Sequence, residues 1–218
     1  MSSEGADVAA EVVDVQGDRR WMDLHEQFVK DSKNKEPDVL FIGDSLIARL
    51  QQSIVWSELF EPLHCLNFGI GSDTTQNVLW RLENGEIEDI KPKVVVLLIG
   101  TNNHAHTAEA VAKGIQAISL YIRSKQPTAH LLVLAIPPRG KNDNPLRAKM
   151  KKINQLLAEA IPTIPKAEYF DPKIEFIQAD GSLDRSDFCD FLHFTSKGYR
   201  KYCKPLADRL SQLLVVED

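Results

Sequence analysis

The 218-residue sequence has few cysteines and lacks any apolar run long enough to cross a bilayer. Its three cysteines, Cys65, Cys189 and Cys203, form no Cys-x-x-Cys pair, so neither a disulfide framework nor a zinc site is predicted. Apolar stretches such as 94–99 are far shorter than the roughly 20 residues that a transmembrane helix needs. These absences predict a cytoplasmic protein without a transmembrane segment.

Several binding motifs are also absent. Lysine and arginine form no block and the net charge is −5, so a nucleic-acid partner is not predicted. The chain has neither a P-loop nor a Gly-x-Gly-x-x-Gly motif, which disfavours a phosphate- or nucleotide-binding domain. It has no Gly-x-Ser-x-Gly either, which argues against the nucleophile elbow of α/β-hydrolases.

The composition is that of a globular protein, with 43% hydrophobic and 26% charged residues. Residues 1–17 are small and acidic and lack the basic and apolar regions of a signal peptide, so we predict a disordered tail there. The remaining residues, 18–218, are enough for one domain with a substantial core.

Short apolar segments alternate with segments of helical periodicity along this domain. Nearly all-apolar strands indicate a sheet that is covered on both faces. The pattern predicts an α/β fold, a three-layer α/β/α sandwich with a parallel, flavodoxin-like sheet of about five strands. Pro205 predicts a kink or a break in the last helix. Strands are predicted at 39–42, 65–68, 94–99, 131–136 and 168–170, and helices at 20–32, 45–59, 75–83, 108–124, 145–160 and from about 195.

Small and polar residues follow four of the predicted strands. Each such loop alone is weak evidence, because turns attract Gly, Asn and Asp. Four of them at the carboxyl ends of parallel strands predict a ligand site at that edge of the sheet. The loops are 43–45, 67–73, 100–104 and 137–140.

Ser45 lies where the first strand passes into a helix, in Gly43-Asp44-Ser45-Leu46. Backbone N–H groups are unpaired at such a point and the helix dipole favours negative charge. The Ser45 hydroxyl becomes a nucleophile there if a base reaches it. The same position also suits a helix cap, and the tetrapeptide alone leaves both interpretations open.

His193 is the best candidate for that base among the six histidines. Asp190 precedes it by three residues, so in a turn the carboxylate can accept from Nδ1–H and leave Nε2 free. A spacing of three is also common by chance. His104 and His106 form a His-x-His pair, but no third ligand is indicated nearby and a metal site is not predicted.

Ser45, the glycine-turn loop, Thr101-Asn102 and Asp190-x-x-His193, in this order, resemble the Gly-Asp-Ser-Leu (SGNH) hydrolases. The catalytic α subunits of intracellular platelet-activating factor acetylhydrolase type I (isoform Ib) are the more similar branch, over about residues 15–214. The resemblance implies the SGNH-hydrolase version of the fold and a metal-free serine esterase without a cofactor. The strings that carry it are Gln16-Gly17-Asp18, Arg20-Trp21-Met22, Lys35-Glu36-Pro37, Leu66-Asn67-Phe68-Gly69-Ile70-Gly71, Val78-Leu79-Trp80-Arg81-Leu82, Gly100-Thr101-Asn102-Asn103-His104, Pro138-Arg139-Gly140 and Asp180-Gly181.

The resemblance also implies the catalytic roles. Ser45 would be the nucleophile, His193 the general base and Asp190 the carboxylate that orients it. The resemblance further implies an oxyanion hole formed by three hydrogen-bond donors. These are the Ser45 backbone N–H, a backbone N–H of the Gly71-Ser72 loop, and the Asn102 side-chain amide.

One position departs from the family pattern, because Ser72 stands where the relatives carry glycine. The expected donor in this loop is a main-chain N–H, so a side chain at position 72 does not remove it. A serine there either narrows the substrate pocket or adopts a φ angle that serine disfavours. The resemblance further implies that Leu46, Thr101 and Leu192 restrict the acyl pocket to very short chains. Leu46 and Leu192 also fit a role in the core alone.

The implied substrate is the sn-2 acetyl ester of platelet-activating factor. A broader short-chain carboxylesterase or lysophospholipase of the same fold is the alternative within enzymes. The resemblance also implies a homodimer, or a heterodimer with a paralogous subunit, bound to a WD40-repeat regulatory protein of microtubule motors. A mainly structural partner would not need Ser45, Asp190 and His193, so their presence favours an active enzyme without excluding the binding role.

Overall fold

The computed structural model describes residues 5–215, which form five β-strands and seven α-helices. Residues 1–4 of the predicted tail and 216–218 of the predicted domain lie outside this range. The strands are β1 (Val39–Gly43), β2 (Cys65–Gly69), β3 (Val94–Leu98), β4 (His130–Leu134) and β5 (Ala167–Phe170). The helices are α1 (Arg20–Asn34), α2 (Ser45–Leu50), α3 (Ile54–Leu59), α4 (Thr75–Arg81), α5 (Ala108–Lys125), α6 (Pro145–Ala160) and α7 (Ser196–Val215).

All five strands are parallel and lie in the order β2-β1-β3-β4-β5. The α/β fold class and the positions of the strands predicted from apolar runs are thereby confirmed. Parallel neighbours require crossover connections, and each of the four connections here contains at least one helix. The chain winds in one direction from β1 to β2 and in the other from β3 onwards. The carboxyl ends of β1 and β3 therefore form the switch point where open α/β sheets bind ligands.

Residues of the central strands are buried along their whole length, as expected for a sheet covered on both faces. Gly43, the last residue of β1, pairs with Gly69 of β2 and with Leu98 of β3. The loops that follow these two strands consequently flank the loop that follows β1. This register is what brings Ser45 between the second and third polar loops.

Two predicted helices differ from those in the structure. The segment predicted as one helix over 45–59 is two helices, because Ser53 starts a second one by accepting from the Val55 N–H at 3.3 Å. The last helix, α7, continues through Pro205 without breaking in two. None of the helices within residues 5–215 has the length and apolar character to cross a membrane.

The first residues of the described chain pack against the domain, which differs from the disorder predicted for residues 1–17. Ala6 is 1% exposed, and its carbonyl accepts from the Thr75 hydroxyl at 2.6 Å. A Cβ on Gly114 of α5 would lie only 2.3 Å from the Ala6 carbonyl oxygen, so glycine permits this approach. The disorder was predicted from amino-acid composition, and composition does not reveal contacts that backbone groups make.

Candidate active site

Ser45 is the first residue of α2, directly after the buried strand β1. Asp44 is the helix cap, because its Oδ1 accepts from the Leu46 N–H at 2.9 Å. Its carbonyl accepts from the N–H groups of Ile47 and Ala48. The capping role that the sequence left open for Ser45 thus belongs to its neighbour.

His193 reaches Ser45 across 148 residues of sequence, with 2.9 Å between Nε2 and the Ser45 Oγ. On the other side of the ring, Nδ1 lies 2.6 Å from Oδ2 of Asp190. Both distances are those of hydrogen bonds. A proton on Nδ1 makes Nε2 the acceptor for the Ser45 hydroxyl, which is the arrangement of a general base.

The carboxylate of Asp190 is held by its own turn. Its Oδ1 accepts from the N–H groups of Leu192, at 3.0 Å, and His193, at 2.7 Å. Partial burial opposes ionisation of this group, but the hydrogen bonds from the His193 ring and from the two N–H groups outweigh it and lower the pKa of Asp190 to about 2. Asp190 is therefore a permanent anion beside the imidazole in the physiological pH range.

The loop after β2 passes the side chain of Ser45. A Cβ built on Gly71 would lie 4.0 Å from the Ser45 Cβ, so the backbone of this loop stands against the serine. Ser72 has a φ of 69°, in the left-handed region. The serine that replaces the family's glycine thus adopts the conformation that glycine would favour.

Asn102 joins this loop to the end of β3. One of its side-chain N–H groups donates to the carbonyl of Asp73 at 3.0 Å. A side-chain amide has two such donors, so the second is left for a ligand. The Asn102 amide thereby links the end of β3 to the loop after β2, whose backbone lies against Ser45.

The three residues expected at the acyl pocket lie in different surroundings. Leu46 and Thr101 are buried, at 1% and 2% exposed, and Leu46 belongs to the hydrophobic core. Leu192 is half-buried and lines a cavity beside Asp190. Of the three, Leu192 is therefore the one whose truncation costs the core least.

Residues 41–201 match the model of the GDSL-like lipase/acylhydrolase family. The chain belongs to this family. It is also 54% identical over 201 residues, 92% of the chain, to the platelet-activating factor acetylhydrolase IB subunit alpha2 of Homo sapiens, of which the match covers 88%. With subunit alpha1 of Rattus norvegicus the identity is 51% over 217 residues, 98% of this chain and 94% of that one. This acylhydrolase is accordingly a carboxylic ester hydrolase.

Solved structures share the fold of this acylhydrolase at low sequence identity. A GDSL-like lipase from Bacteroides thetaiotaomicron has a TM-score of 0.70 at 16% identity, covering 86% of this chain and 97% of that one. A carbohydrate acetylesterase from Sinorhizobium meliloti has a TM-score of 0.62 at 20% identity, covering 82% and 100%. The resemblance drawn from the sequence is thereby confirmed for family and fold.

A buried ion network, which sequence reasoning missed, supports the acylhydrolase's site from below. Arg81 is 0% exposed and donates through Nε to Asp73 at 2.9 Å and through Nη1 to Glu86. Its Nη2 donates to the carbonyls of Phe68, at 3.1 Å, and Gly43, at 3.5 Å. Arg81 therefore connects the ends of β1 and β2 with the residue that follows Ser72.

Helix α1 joins the same network. Trp21 Nε1 donates to Asp73 at 2.7 Å, and His25 Nδ1 lies 2.9 Å from Glu86. Helical periodicity predicted the helix over 20–32, but it does not identify the polar partners of Trp21 and His25. The one feature that indicates such a network is the burial of Arg81, and the sequence does not show that this arginine is buried.

Neither histidine of the His-x-His pair lies in a cluster of metal ligands. His106 Nε2 is 3.3 Å from the side-chain amide of Gln76, and His104 is exposed. Over residues 5–215, no group of three or more His, Cys, Asp or Glu side chains is arranged to hold a metal ion.

Asp44 is fully buried, and its Oδ2 has no hydrogen-bond partner. Burial raises the pKa of Asp44 to about 7, although the Leu46 N–H and the Arg139 charge favour the anion. A folded-state pKa above the unfolded value means that the native state holds a proton over this range. The contribution of Asp44 to the free energy of unfolding therefore falls as the pH rises from about 4 through about 7.

We expect Asp44→Asn to remove this dependence, because asparagine is uncharged and its carbonyl still accepts from the Leu46 N–H. The gain in unfolding free energy over the wild type should be about 2 to 3 kcal/mol larger at pH 8 than at pH 5. Urea denaturation at the two pH values measures it, and other titrating groups cancel in the comparison. An equal difference at both pH values would contradict the assignment.

Proposed function

We propose that this acylhydrolase is a metal-free serine esterase that removes the sn-2 acetyl group of platelet-activating factor and similar short-acyl esters through an acyl-enzyme. The 2.9 Å contact between the Ser45 Oγ and the His193 Nε2 carries the proposal. The names of relatives more than 50% identical, the platelet-activating factor acetylhydrolase IB subunits, supply the substrate.

The first half of the reaction transfers the acetyl group to the enzyme. The Ser45 Oγ attacks the ester carbonyl while its proton passes to the His193 Nε2, and Asp190 stabilises the imidazolium that forms. When the tetrahedral intermediate collapses, the bond to the leaving alcohol breaks and His193 returns the proton to that oxygen. The products are an acetyl-serine and the free alcohol.

The second half repeats these steps with water. His193 takes one proton from the water as it attacks the acetyl-serine, and returns it to the Ser45 Oγ when acetic acid leaves and ionises in solution. In both halves a negative charge develops on the former carbonyl oxygen. Preorganised donors aimed at that oxygen lower the barrier because they need no reorganisation during the reaction.

Three donors would form this oxyanion hole. The first N–H groups of a helix have no intrahelical partner, and Asp44 satisfies that of Leu46, so the Ser45 N–H is left for the substrate. A backbone N–H at Gly71-Ser72 and the second amide N–H of Asn102 complete the set. Ser72 keeps a main-chain donor in its left-handed conformation, which is the only group that the role requires.

The experiment that tests the proposal is hydrolysis of 1-alkyl-2-acyl-glycerophosphocholines of increasing acyl length. We expect kcat/KM to be highest for acetyl and to fall with every added pair of carbons. Equal rates across the series would favour the broader carboxylesterase or lysophospholipase. Labelling by a fluorophosphonate that is absent in Ser45→Ala supports a serine enzyme, whereas no labelling of the folded wild type favours a mainly structural protein.

We expect the double variant Leu46→Ala, Leu192→Ala to accept longer acyl chains, because it removes two branched side chains beside the nucleophile. Its ratio of kcat/KM for butyryl over acetyl ester should rise by about 10- to 100-fold, the scale of one or two methylenes in a pocket. Leu192→Ala alone keeps the core intact and controls for lost stability. An unchanged chain-length preference in the double variant would contradict the assignment.

The assembly is a further part of the proposal. The names of the relatives describe subunits, and we extend this to a homodimer, or a heterodimer with a paralogous chain, in the cytoplasm. A WD40-repeat regulatory subunit is the proposed larger partner. Light scattering of the purified chain, with and without such a partner, measures both associations, and a monomer at all concentrations would contradict self-association.

A further inference from the structure

Arg139 lies in the loop after β4 and takes no part in the proposed acyl-transfer steps. Its Nη1 donates to the carbonyl and to the hydroxyl of Thr101, at 2.9 and 3.3 Å. Thr101 directly precedes Asn102, so the guanidinium stands beside the candidate oxyanion hole.

The guanidinium of Arg139 is not neutralised by a direct partner. Among the described residues it forms no ion pair, and its Nε and Nη2 atoms have no acceptor. Burial lowers the pKa of Arg139, while the charges of Asp44 and Asp190 act in the opposite direction. Asp190 is already engaged with the His193 ring and two N–H groups.

Two more buried cations lie behind the same loops. Arg147 is 6% exposed and donates to the carbonyls of four residues, among them Gly140 at 2.6 Å. Lys149 is 7% exposed, and its Nζ donates to the carbonyls of Asn103 and His104. Carbonyl groups are neutral, so hydrogen bonds to them do not cancel the charges of Arg147 and Lys149. Such charge in a low-dielectric wall attracts an anionic ligand.

A cavity of about 600 Å³ that is open to solvent is lined by Arg139 and by residues 190–192. One wall is the loop from Arg139 to Asn144, and the other is Asp190, Phe191 and Leu192. The Gly140 N–H donates to the Phe191 carbonyl at 2.7 Å and joins the two walls. Cavities of this volume hold drug-sized ligands. Asp190 of this lining contacts the His193 ring, whose Nε2 lies 2.9 Å from the Ser45 Oγ, so a ligand in the cavity is separated from the nucleophile by two side chains.

We propose that Arg139 binds the phosphate of the substrate in this cavity, through its Nε and Nη2 donors, while Ser45 attacks the neighbouring acetyl ester. This inference rests on the proposed function. In a 2-acetylglycerophospholipid the ester and the phosphate are on adjacent carbons, so both fit one site. A guanidinium presents two parallel donors that match two phosphate oxygens, and this geometry favours arginine over lysine.

The test compares two esters that differ only in the headgroup: platelet-activating factor and the neutral 1-alkyl-2-acetylglycerol. We expect Arg139→Gln to lower kcat/KM for the phosphorylated ester by about 10- to 100-fold, and for the neutral ester by less than about threefold. Arg139→Lys should keep part of the kcat/KM for the phosphorylated ester, because lysine retains the positive charge but lacks the two parallel donors of a guanidinium. Hexadecylphosphocholine has the phosphate but no carboxylic ester, and its inhibition constant should rise in Arg139→Gln by the same factor as kcat/KM for the phosphorylated ester falls.

Lys152→Gln is the matched control, because it removes the same charge from an exposed position on α6 outside the cavity. It should hydrolyse both esters like the wild type. Equal losses on both esters in Arg139→Gln would mean that Arg139 only positions Thr101, and unchanged rates on both would mean that it binds nothing; either result overturns the proposal. A wild type that cleaves the neutral ester but not the phosphorylated one overturns both this proposal and the choice of platelet-activating factor as substrate, while the acetyl-ester hydrolase stands. Failure to cleave either ester refutes the proposed function instead.

Discussion

Replacement of Ser45 by alanine is expected to lower kcat for an acetyl ester by about 10⁴- to 10⁶-fold. In the proposed mechanism the Ser45 Oγ is the enzyme atom that bonds to the substrate carbonyl carbon, and the His193 Nε2 at 2.9 Å activates it. KM should change little, because the binding surfaces of the substrate remain. Stopped assays with excess enzyme measure the residual rate against the uncatalysed hydrolysis.

The losses caused by replacing Ser45 and His193 should not add. His193→Ala should cost about as much as Ser45→Ala, and the double variant no more than either, because the two groups act as one unit. Ser53→Ala is the matched control, since it also removes a serine hydroxyl at a helix start, eight residues along the same segment. Additive losses, or a loss of less than about tenfold in either single variant, would refute the triad.

Asn102→Ala is expected to lower kcat by about 10²- to 10³-fold, which is the usual effect of losing one oxyanion-hole donor. The Asp73 carbonyl accepts from this amide at 3.0 Å and holds its orientation, so the second N–H needs no reorganisation to act as the proposed donor. The donor acts on charge that develops only in the transition state. The loss should therefore appear in kcat and leave KM nearly unchanged.

Ser72→Gly is the control for the other side of the hole. It removes the hydroxyl but keeps the backbone N–H, and glycine accepts a φ of 69° without strain. We expect kcat to stay within about threefold of the wild type, far from the Asn102→Ala loss. A fall as large as that of Asn102→Ala would show that the Ser72 hydroxyl itself contacts the substrate.

Much of the fold could be predicted because the strands are short and almost entirely apolar, and this pattern is local. Helix boundaries were less accurate. The predicted helix 45–59 is divided because the Ser53 hydroxyl caps a new helix, a competition between side chain and backbone that hydrophobic periodicity does not report. The burial of Ala6 depends on the space beside Gly114 of α5, and that space comes from packing distant segments together.

The sequence by itself determined the order of the strands along the chain, the polar loops at their ends and the candidate residues Ser45, Asp190 and His193. These features are carried by residues that are neighbours in the chain. Only the tertiary structure decided that the Ser45 Oγ meets the His193 Nε2 across 148 residues, that Asp44 and not Ser45 caps α2, and that Arg81 lies buried beneath the site. These facts depend on the sheet order and on burial, because distances between remote segments arise only when the chain is packed.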